Sequence, residues 1–406
     1  MNTPRRLGRR LLGLVAVLVA ATVVAGCTAV GTPILANPAQ PRPSIAPPTE
    51  PPITVADPIP VELPRDDGPH DRLTEWWYYT GHLRAASGER LGFEYVIFRA
   101  ERGGFPTTWA SHFAVTDETG DAFHYGQRLE VGPSVDRSPR GVTGEPVGFD
   151  LSLSGLDPTD PTTFDRPAWS MRGIGGEDTL VATLAPDEAT AAGAPGGLGL
   201  ELALTADKPP ALHDTDGWID FGPAGGSYYY SRTAMTATGT VLLDGRSLDV
   251  NGEAWFDHQW GDFISVGGGG WDWFAVNLGD GTDLTLSLVR DADGSYPLIY
   301  GTVVDADGTT RHLDRDAFTV EVTDRWISPA TAADYPAGWT ITIPGEDLEI
   351  RLAPTVAAQE LDTRATTGVV YWEGSQRVTA TRAGRPLGGE GYVELTGYAP
   401  SGGATP

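Results

Sequence analysis

The sequence predicts an all-β protein in which two antiparallel β domains follow each other along the chain. Three observations indicate this class. Short apolar runs are separated by turn pairs such as Asp244-Gly245 and Asp280-Gly281, and Asp-Gly between alternating apolar residues is the strongest local signal for a β-hairpin. Helical periodicity is scarce, with one candidate helix at residues 187–194. The hairpin pattern also occurs twice, which indicates a duplicated unit.

Residues 1–26 are predicted to be a lipoprotein signal peptide. Four arginines precede an apolar stretch, residues 11–24, that is shorter than a comfortable membrane span. It ends in Val24-Ala25-Gly26-Cys27, which resembles the lipobox of bacterial lipoproteins. Cys27 is the only cysteine in the sequence, so we expect no disulfides and no catalytic cysteine. The prediction is a lipid on Cys27 and an extracytoplasmic protein anchored to the cell membrane, with a plain secretory peptide as the alternative.

Residues 27–61 are predicted to be a tether, because ten prolines between positions 33 and 60 favour an extended spacer. The formal net charge is −26, and cleavage of the signal would remove four arginines and no acids. Such a charge argues against nucleic acid as a partner and against electrostatic attraction to anionic lipid. The expected partners are a small molecule and, through the lipid anchor alone, the membrane. The sequence does not indicate an oligomeric state.

The chain after the tether is long enough for two domains, predicted at residues 62–264 and 265–402. A run of four glycines, residues 267–270, lies close to the junction. The candidate strands share alternating apolar residues with turn residues at their ends, and they are residues 76–84, 91–99, 111–116, 240–243, 248–258, 273–278, 284–290, 298–304, 339–343, 368–373 and 391–397. Consecutive hairpins at this spacing predict antiparallel barrels or sandwiches.

The duplication is most visible around Asp257. Residues 252–258 read Gly-Glu-Ala-Trp-Phe-Asp-His, and residues 389–395 read Gly-Glu-Gly-Tyr-Val-Glu-Leu. Each segment follows a similar turn, so two related β domains explain the match, although short glycine-rich turns also recur by coincidence. The copies differ at His258 and Trp260, which become Leu395 and Gly397 in the second half. Features shared by both copies are expected to be scaffold, and features of one copy to be functional.

The absence of several sequence motifs excludes common types of catalysis. The only lysine, Lys208, lies in a loop-like Asp-Lys-Pro-Pro context, so a Schiff-base lysine is not expected. The sequence contains no nucleophile elbow, phosphate loop or dinucleotide fingerprint. Its seven histidines are not paired at metal-ligand spacing, so it predicts no metal site and no cofactor, while its many aspartates leave a calcium-binding loop open. The remaining type of chemistry is proton transfer, carried out by carboxylates, histidine and tyrosine that lie among aromatic rings.

Residues 75–82 and 253–262 are the two segments richest in aromatic and ionisable residues. Alternation along a strand assigns their side chains to two opposite faces. In one, His258 and Trp260 share a face opposite Trp255 and Asp257. In the other, Trp76, Tyr78 and His82 share a face opposite Trp77. The candidate catalytic residues are His258, Asp257 and Trp260. The candidate ligand-binding residues are Trp76, Trp77, Tyr78, His82, Trp255 and Tyr229. The alternatives are hydrogen-bonded core histidines, a strand-end acid at Asp257, and aromatic rings that only fill a barrel core.

Four motifs together resemble the family of hydroxyneurosporene synthase, or carotenoid 1,2-hydratase, also called AttH-like. They are Glu-Trp-Trp-Tyr-Tyr-Thr-Gly-His at 75–82, Tyr-Tyr-Tyr-Ser-Arg at 228–232, Trp-Phe-Asp-His-Gln-Trp-Gly at 255–261, and Gly-Tyr-Val-Glu-Leu-Thr-Gly-Tyr at 391–398. They occur in the order of the family and cover about residues 62–400. The resemblance implies two lipocalin-like β-barrels, a fold that encloses a cavity for one apolar small molecule.

The resemblance also implies a chemistry, although it leaves open whether this chain is an enzyme. Hydratase members of the family add water to a terminal isoprenoid double bond, and His258-Gln259-Trp260 matches their His-x-Trp position. Asp257 or His258 would supply the proton, each setting the protonation state of the other. Tryptophan faces would stabilise the carbocation. The alternatives are a lipocalin-like carrier or sensor of lipophilic ligands and, third, a glycan-acting enzyme with paired acids.

Overall fold

The architecture is all-β, and the two predicted tandem lipocalin-like barrels are confirmed. The computed structural model describes residues 57–156, 159–263 and 269–399. Within these ranges the chain forms a 12-stranded and a 10-stranded antiparallel sheet, each curled into a barrel-like domain. The predicted signal peptide, most of the predicted tether and Cys27 lie outside the described residues.

The first sheet uses the strands before the glycine run. Its strands are β1 (Thr74–Ala85), β2 (Arg90–Ala100), β3 (Thr108–Asp117), β4 (Ala122–Val131), β5 (Phe149–Leu153), β6 (Trp169–Ile174), β7 (Glu177–Thr183), β8 (Leu198–Ala206), β9 (Ala211–Leu212), β10 (Trp218–Asp220), β11 (Gly226–Leu243) and β12 (Arg246–Gly261). Their order is β4-β3-β2-β1-β12-β11-β8-β7-β6-β5, and β9 and β10 also pair with β11.

The second sheet repeats this arrangement. Its strands are β13 (Gly270–Leu278), β14 (Asp283–Arg290), β15 (Leu298–Val304), β16 (Thr310–Asp314), β17 (Thr319–Ile327), β18 (Asp334–Ile343), β19 (Leu348–Pro354), β20 (Glu360–Asp362), β21 (Val370–Arg382) and β22 (Arg385–Thr396). Their order is β16-β15-β14-β13-β22-β21-β19-β18-β17, and β20 pairs with β21. In both sheets the last long strand lies between the first strand and the preceding long strand, as a duplicated unit requires.

Helical structure is limited to short connections. The one α-helix in the described ranges, α1 (Pro186–Ala191), overlaps the predicted helix at 187–194. The 3-10 turns are Arg65–Asp67, Pro161–Thr163, Gly222–Ala224, Arg315–Ala317 and Pro344–Glu346. Among the residues that the structure describes, none of the helical segments has the length and hydropathy of a membrane-spanning helix.

Alternate residues of the central strands enter different environments. Trp77, Phe256 and Trp260 belong to the core of the first barrel, whereas Trp339 and Trp372 belong to the core of the second. A third apolar cluster takes its members from both sheets, and it contains Tyr78, Val96, Trp255, Trp273, Ala275 and Tyr392. The two barrels therefore pack against each other through the outer faces of β1, β2 and β12 and of β13 and β22.

The contact between the barrels is close and includes polar bridges. Gly92 permits the approach, because a Cβ atom there would lie 2.8 Å from both the Ser375 Cβ and the Tyr392 hydroxyl oxygen. The Lys208 ammonium donates to the Gly281 carbonyl oxygen at 2.6 Å and pairs with the Asp283 carboxylate at 2.5 Å. The only lysine of the chain thus links the two barrels.

Candidate functional site

Antiparallel pairing of β1 with β12 places Tyr78 opposite Asp257 and Trp77 opposite His258. Neighbouring residues of a strand point to opposite faces, so the candidate residues separate into two groups. His258, Trp260 and Trp77 lie inside the first barrel. The others lie on the outer face, toward the second barrel, and they are Asp257, Trp255, Trp76, Tyr78, His82 and Tyr229. The expectation that Asp257 and His258 act together in one site is wrong, because the sheet itself separates them.

His258 is fully buried among aromatic rings. Its ring centroid lies 4.7 Å from that of Trp77 and 4.7 Å from that of Trp260. Its Nε2 is 3.0 Å from Oε1 of Glu75, and its Nδ1 has no hydrogen-bond partner in the described structure. Burial lowers the pKa of His258, against the opposing effect of Glu75. The stacked rings and Glu75 therefore hold the His258 imidazole in a fixed orientation, and its burial favours the neutral form.

Glu75 also contacts a second histidine, which the sequence did not suggest. His70 Nδ1 lies 2.7 Å from the same Oε1 atom, and the His70 backbone N–H donates to Oε2 at 3.0 Å. The His70 ring stacks on Trp260 at 4.1 Å. Burial acts to raise the pKa of Glu75, but the two histidines outweigh it and lower this pKa to about 2. His70 precedes β1 in an irregular segment, so no strand pattern marks its position.

The interior of the first barrel continues as a polar network. Asp67 accepts hydrogen bonds from the Tyr230 hydroxyl at 2.5 Å and from Arg232 Nη2 at 2.7 Å. The Tyr79 hydroxyl donates to Asp178 at 2.8 Å, and burial raises the pKa of Asp178 to about 7. The interior around His258 is thus occupied by aromatic rings and hydrogen-bonded polar groups, although His258 Nδ1 and Asp178 Oδ1 have no hydrogen-bond partner in the described structure.

Asp257 is the centre of a different network, on the face toward the second barrel. It accepts hydrogen bonds from the Tyr229 hydroxyl at 2.6 Å, from Trp255 Nε1 at 2.6 Å and from the Ser231 hydroxyl. Tyr229 in turn accepts from Trp273 Nε1 of the second barrel at 3.0 Å. Burial raises the pKa of Asp257 to about 6 in spite of these donors.

Three glutamates that were not candidates meet on this same face. Glu94 of β2 accepts from the Tyr371 hydroxyl at 3.3 Å, and Glu373 of β21 accepts from the Tyr78 hydroxyl at 2.8 Å. Glu394 of β22 accepts from Trp271 Nε1 at 3.0 Å. The Oε2 atoms of Glu94 and Glu373 are buried and have no hydrogen-bond partner in the described structure. These three residues are called the glutamate cluster below.

Burial and mutual repulsion favour protonated carboxyls in the glutamate cluster. Burial raises the pKa of Glu394 to about 7. For Glu94 and Glu373, burial and then the charge of Glu394 raise the pKa. No basic side chain is among their hydrogen-bond partners in the described ranges. The carboxyls of the cluster therefore favour the protonated form, in which they can act as proton donors.

The sequence contained one signal for this cluster. Glu394 is the counterpart of Asp257 in the duplicated segment, and both have raised pKa values on the face between the barrels. Glu94 and Glu373 have no such counterpart in the sequence. Alternation along their strands predicts the face of the sheet on which each side chain lies, but not the residues that pack against that face. Only the docking of the two barrels brings them together.

A small cavity lies between the barrels, lined by Glu253 and Glu390 and not by the three residues of the glutamate cluster. Its volume is about 10 Å³, which is room for about one water molecule. Trp255 and Tyr392 line it and also belong to the apolar cluster between the barrels. His82 lines it as well, with Nε2 at 3.0 Å from the Gly391 carbonyl oxygen. At the edge of the same surface, Trp76 and Trp271 remain partly exposed.

Comparisons with known proteins agree with this architecture. A candidate AttH protein from Nitrosomonas europaea is similar at 29% identity and a TM-score of 0.69, over 85% of this chain and 99% of that chain. Kievitone hydratase from Nectria haematococca has 14% identity and a TM-score of 0.61, over 83% and 93%. CghA in a crystal structure with Sch210972 has 14% identity and a TM-score of 0.52, over 81% and 90%. The latter two likenesses concern the fold alone.

At the level of sequence, no curated protein matches significantly. A family model described as AttH-like matches residues 54–398 and so spans both barrels, the glutamate cluster and the histidines around Glu75. This match confirms the resemblance carried by the four motifs, and the chain belongs to the AttH-like family.

Proposed function

We propose that this protein is a cofactor-independent hydratase or isomerase that protonates an apolar, isoprenoid-like small molecule between its two barrels. The observation that carries the proposal is the glutamate cluster: three carboxyl groups with raised pKa values, buried against aromatic rings, with two carboxyl oxygens left without partners. General acid catalysis requires an acid whose pKa lies near the working pH.

The chemistry balances with the residues present. The Glu373 carboxyl gives its proton to one carbon of a double bond, whose electron pair forms the new C–H bond. The adjacent carbon becomes a cation, and a water molecule adds to it through its oxygen. The proton that this water releases returns to a carboxylate, with Glu94 and Asp257 within the same surface. In an isomerase, a neighbouring carbon loses the proton instead and the double bond moves.

Aromatic faces between the barrels suit the cation in this scheme. Trp273 meets Tyr78 edge to face at 5.4 Å and Trp255 at 6.1 Å. A cation within about 6 Å of a tryptophan face gains about 0.5–2 kcal/mol. The cavity beside Trp255 has the size of the water molecule that hydration consumes. A substrate of isoprenoid size requires that the surface at Trp76 and Trp271 opens.

Relatives of the same fold support the reaction class by analogy only. One is named a hydratase, kievitone hydratase, and another was crystallised with a small molecule, Sch210972. Family membership supports a hydratase-like barrel protein. The isoprenoid character of the substrate rests on the apolar, aromatic lining of the surface between the barrels.

Turnover in isotopically labelled water tests the proposal. Purified protein is incubated with acyclic isoprenoid alkenes in D₂O or in ¹⁸O-water, and mass spectrometry follows carbon-bound deuterium and added oxygen. We expect incorporation by the wild type and a loss of about 10²–10⁴-fold in Glu373→Gln, as for other general acids. Glu349→Gln, on a partly exposed position of β19, is the matched control and should retain the wild-type rate.

Two results would contradict the proposal. One is equal incorporation by the wild type and Glu373→Gln, which would remove the glutamate cluster from the chemistry. The other is a wild type that retains an apolar ligand in native mass spectrometry but incorporates no label with it, which would favour the carrier or sensor.

The proposal places the protein outside the cytoplasm, anchored by a lipid on Cys27. The basic start, the apolar stretch and the single cysteine of the sequence support this location. Mass spectrometry of the mature N-terminus should find a diacylglyceryl group on Cys27. Cys27→Ser should move the protein from the membrane to the soluble fraction, and an unmodified N-terminus at another position would contradict the anchor.

A further inference from the structure

We propose that His70, Glu75 and His258 form a binding site for a first-row divalent metal ion, with Zn²⁺ as the reference ion. Each residue offers one donor atom, and these three atoms lie within 4.8 Å of one another. The two imidazole nitrogens approach the same carboxylate oxygen, Glu75 Oε1, at 2.7 and 3.0 Å. The site lies inside the first barrel, on the opposite face of the sheet from the glutamate cluster.

The donor set fits the chemistry of such ions. Two imidazoles and one carboxylate are an established set of protein ligands for zinc, and three protein ligands leave a fourth position for water or a bound anion. Tetrahedral coordination at 2.0–2.1 Å separates neighbouring ligand atoms by about 3.3 Å. The observed separations from Glu75 Oε1 are shorter by a few tenths of an ångström. All three donor atoms lie within 4.8 Å of one another, so the ion would enter in place of the shared protons as the side chains rotate to equalise these separations.

The surroundings of the three residues support a metal site in two further ways. Asp66 Oδ1 lies 3.5 Å from Nε2 of His70, the position from which a carboxylate commonly orients a metal-bound histidine. Both imidazole rings are fixed by stacking, His70 on Trp260 at 4.1 Å and His258 on Trp77 at 4.7 Å. Rigid ligand orientation of this kind keeps the cost of ordering the site low.

Charge and access are also favourable. Three acidic side chains surround the two imidazoles, Glu75 as ligand and Asp66 and Asp67 nearby. Two arginines offset part of this charge, because Arg65 pairs with Asp66 at 2.6 Å and Arg99 lies 4.0 Å from the Oε2 atom of Glu75. Glu75 and His258 are fully buried, whereas the His70 side chain retains 19% of its exposure. The ion can therefore reach the site from the side of His70.

Metal binding to the full, tag-free chain tests the proposal. After treatment with a chelator and dialysis against Zn²⁺, elemental analysis should find one Zn²⁺ per chain. Co²⁺ should give the visible absorption bands of a tetrahedral site with nitrogen and oxygen ligands. His70→Ala should weaken binding by more than about 100-fold and remove these bands, and Asp66→Asn should weaken it by about 10–100-fold. His70 is partly exposed, so this variant is expected to fold.

His124→Ala is the matched control. His124 is a half-buried histidine of the same barrel, bonded to the Ala192 carbonyl oxygen at 2.9 Å, and its loss should leave metal binding unchanged. Zn²⁺ should also raise the melting temperature of the wild type and of His124→Ala, but not of His70→Ala. Less than one tenth of an ion per chain, or equal affinity in the wild type and His70→Ala, would overturn the proposal. Neither result bears on the glutamate cluster, whose chemistry uses no metal.

Discussion

Glu373 and Glu394 lie directly opposite each other on β21 and β22, and both side chains face the first barrel. Two carboxylates at directly opposed positions repel each other in a sheet, and burial adds to the cost of ionising them. The pair is stable when both carboxyl groups are neutral. Ionisation at high pH should destabilise the folded protein, whereas the neutral carboxyls can act as a source of protons. The second barrel thus contributes the acid, while the first contributes Tyr78 as its hydrogen-bond donor.

Stability should respond to pH through this pair. The folded-state pKa of Glu394, about 7, lies above that of a glutamate in an unfolded chain, about 4.3. Its stabilisation is complete below pH 4 and is lost as the pH rises toward 7, because the folded state then binds the extra proton. The free energy of unfolding of Glu394→Gln should therefore rise relative to that of the wild type by about 1–3 kcal/mol between pH 5 and pH 8. Urea unfolding at several pH values measures this difference. A constant difference across the range would contradict the raised pKa, and Glu349→Gln is the control.

The hydroxyl of Tyr78 should tune the acid. Its hydrogen bond to Glu373 opposes the rise in the pKa of that carboxyl, which burial and then the charges of Glu394 and Glu94 produce. Tyr78→Phe removes the donor, so the pKa of Glu373 should rise further. Carbon-13 NMR of labelled glutamate side chains follows the titration directly. Tyr398→Phe removes a similar bond to Asp272, away from the cluster, and should leave the titration of Glu373 unchanged. A downward shift in Tyr78→Phe would contradict the assigned contact.

The buried ion pair of Arg232 and Asp67 should be a major element of stability in the first barrel. Both side chains are at most 2% exposed, and the N–O distance is 2.7 Å. Arg232→Met leaves a buried carboxylate without its cation, so the free energy of unfolding should fall by about 3–5 kcal/mol. The exposed pair of Arg325 and Asp334 is the comparison, and Arg325→Met should cost less than about 1 kcal/mol. Equal effects in urea unfolding would show that burial does not decide the difference.

The barrels pack so closely at Gly92 that this position should not accommodate a larger side chain. A methyl group there would meet Ser375 and Tyr392 of the second barrel at 2.8 Å, so Gly92→Ala should destabilise the protein by about 1–3 kcal/mol. Gly388→Ala is the control, because a Cβ atom at Gly388 has no neighbour within 4 Å. Thermal unfolding compares the two variants. A Gly92→Ala protein as stable as the wild type would mean that the barrels separate easily at this point.

Local patterns were sufficient to predict which face each residue of β1 and β12 occupies. His258 and Trp260 share the interior and Asp257 points outward, as alternation required. The same rule should have excluded a site that contains both Asp257 and His258, because neighbours in a strand cannot share a face. The resemblance to hydratases suggested a joint role for the two residues, but strand geometry places them on opposite faces.

The sequence by itself determined the all-β class, the duplication and the inward or outward direction of side chains, because these depend on turn residues and on a period of two along each strand. Only the tertiary structure decided which outward residues meet. Glu94 and Glu373 approach through the docking of two barrels, and His70 reaches Glu75 and His258 from an irregular segment. Such contacts depend on how the curved surfaces of the two barrels and the irregular segment pack in three dimensions. The local spacing of residues along the chain does not predict which distant residues come into contact.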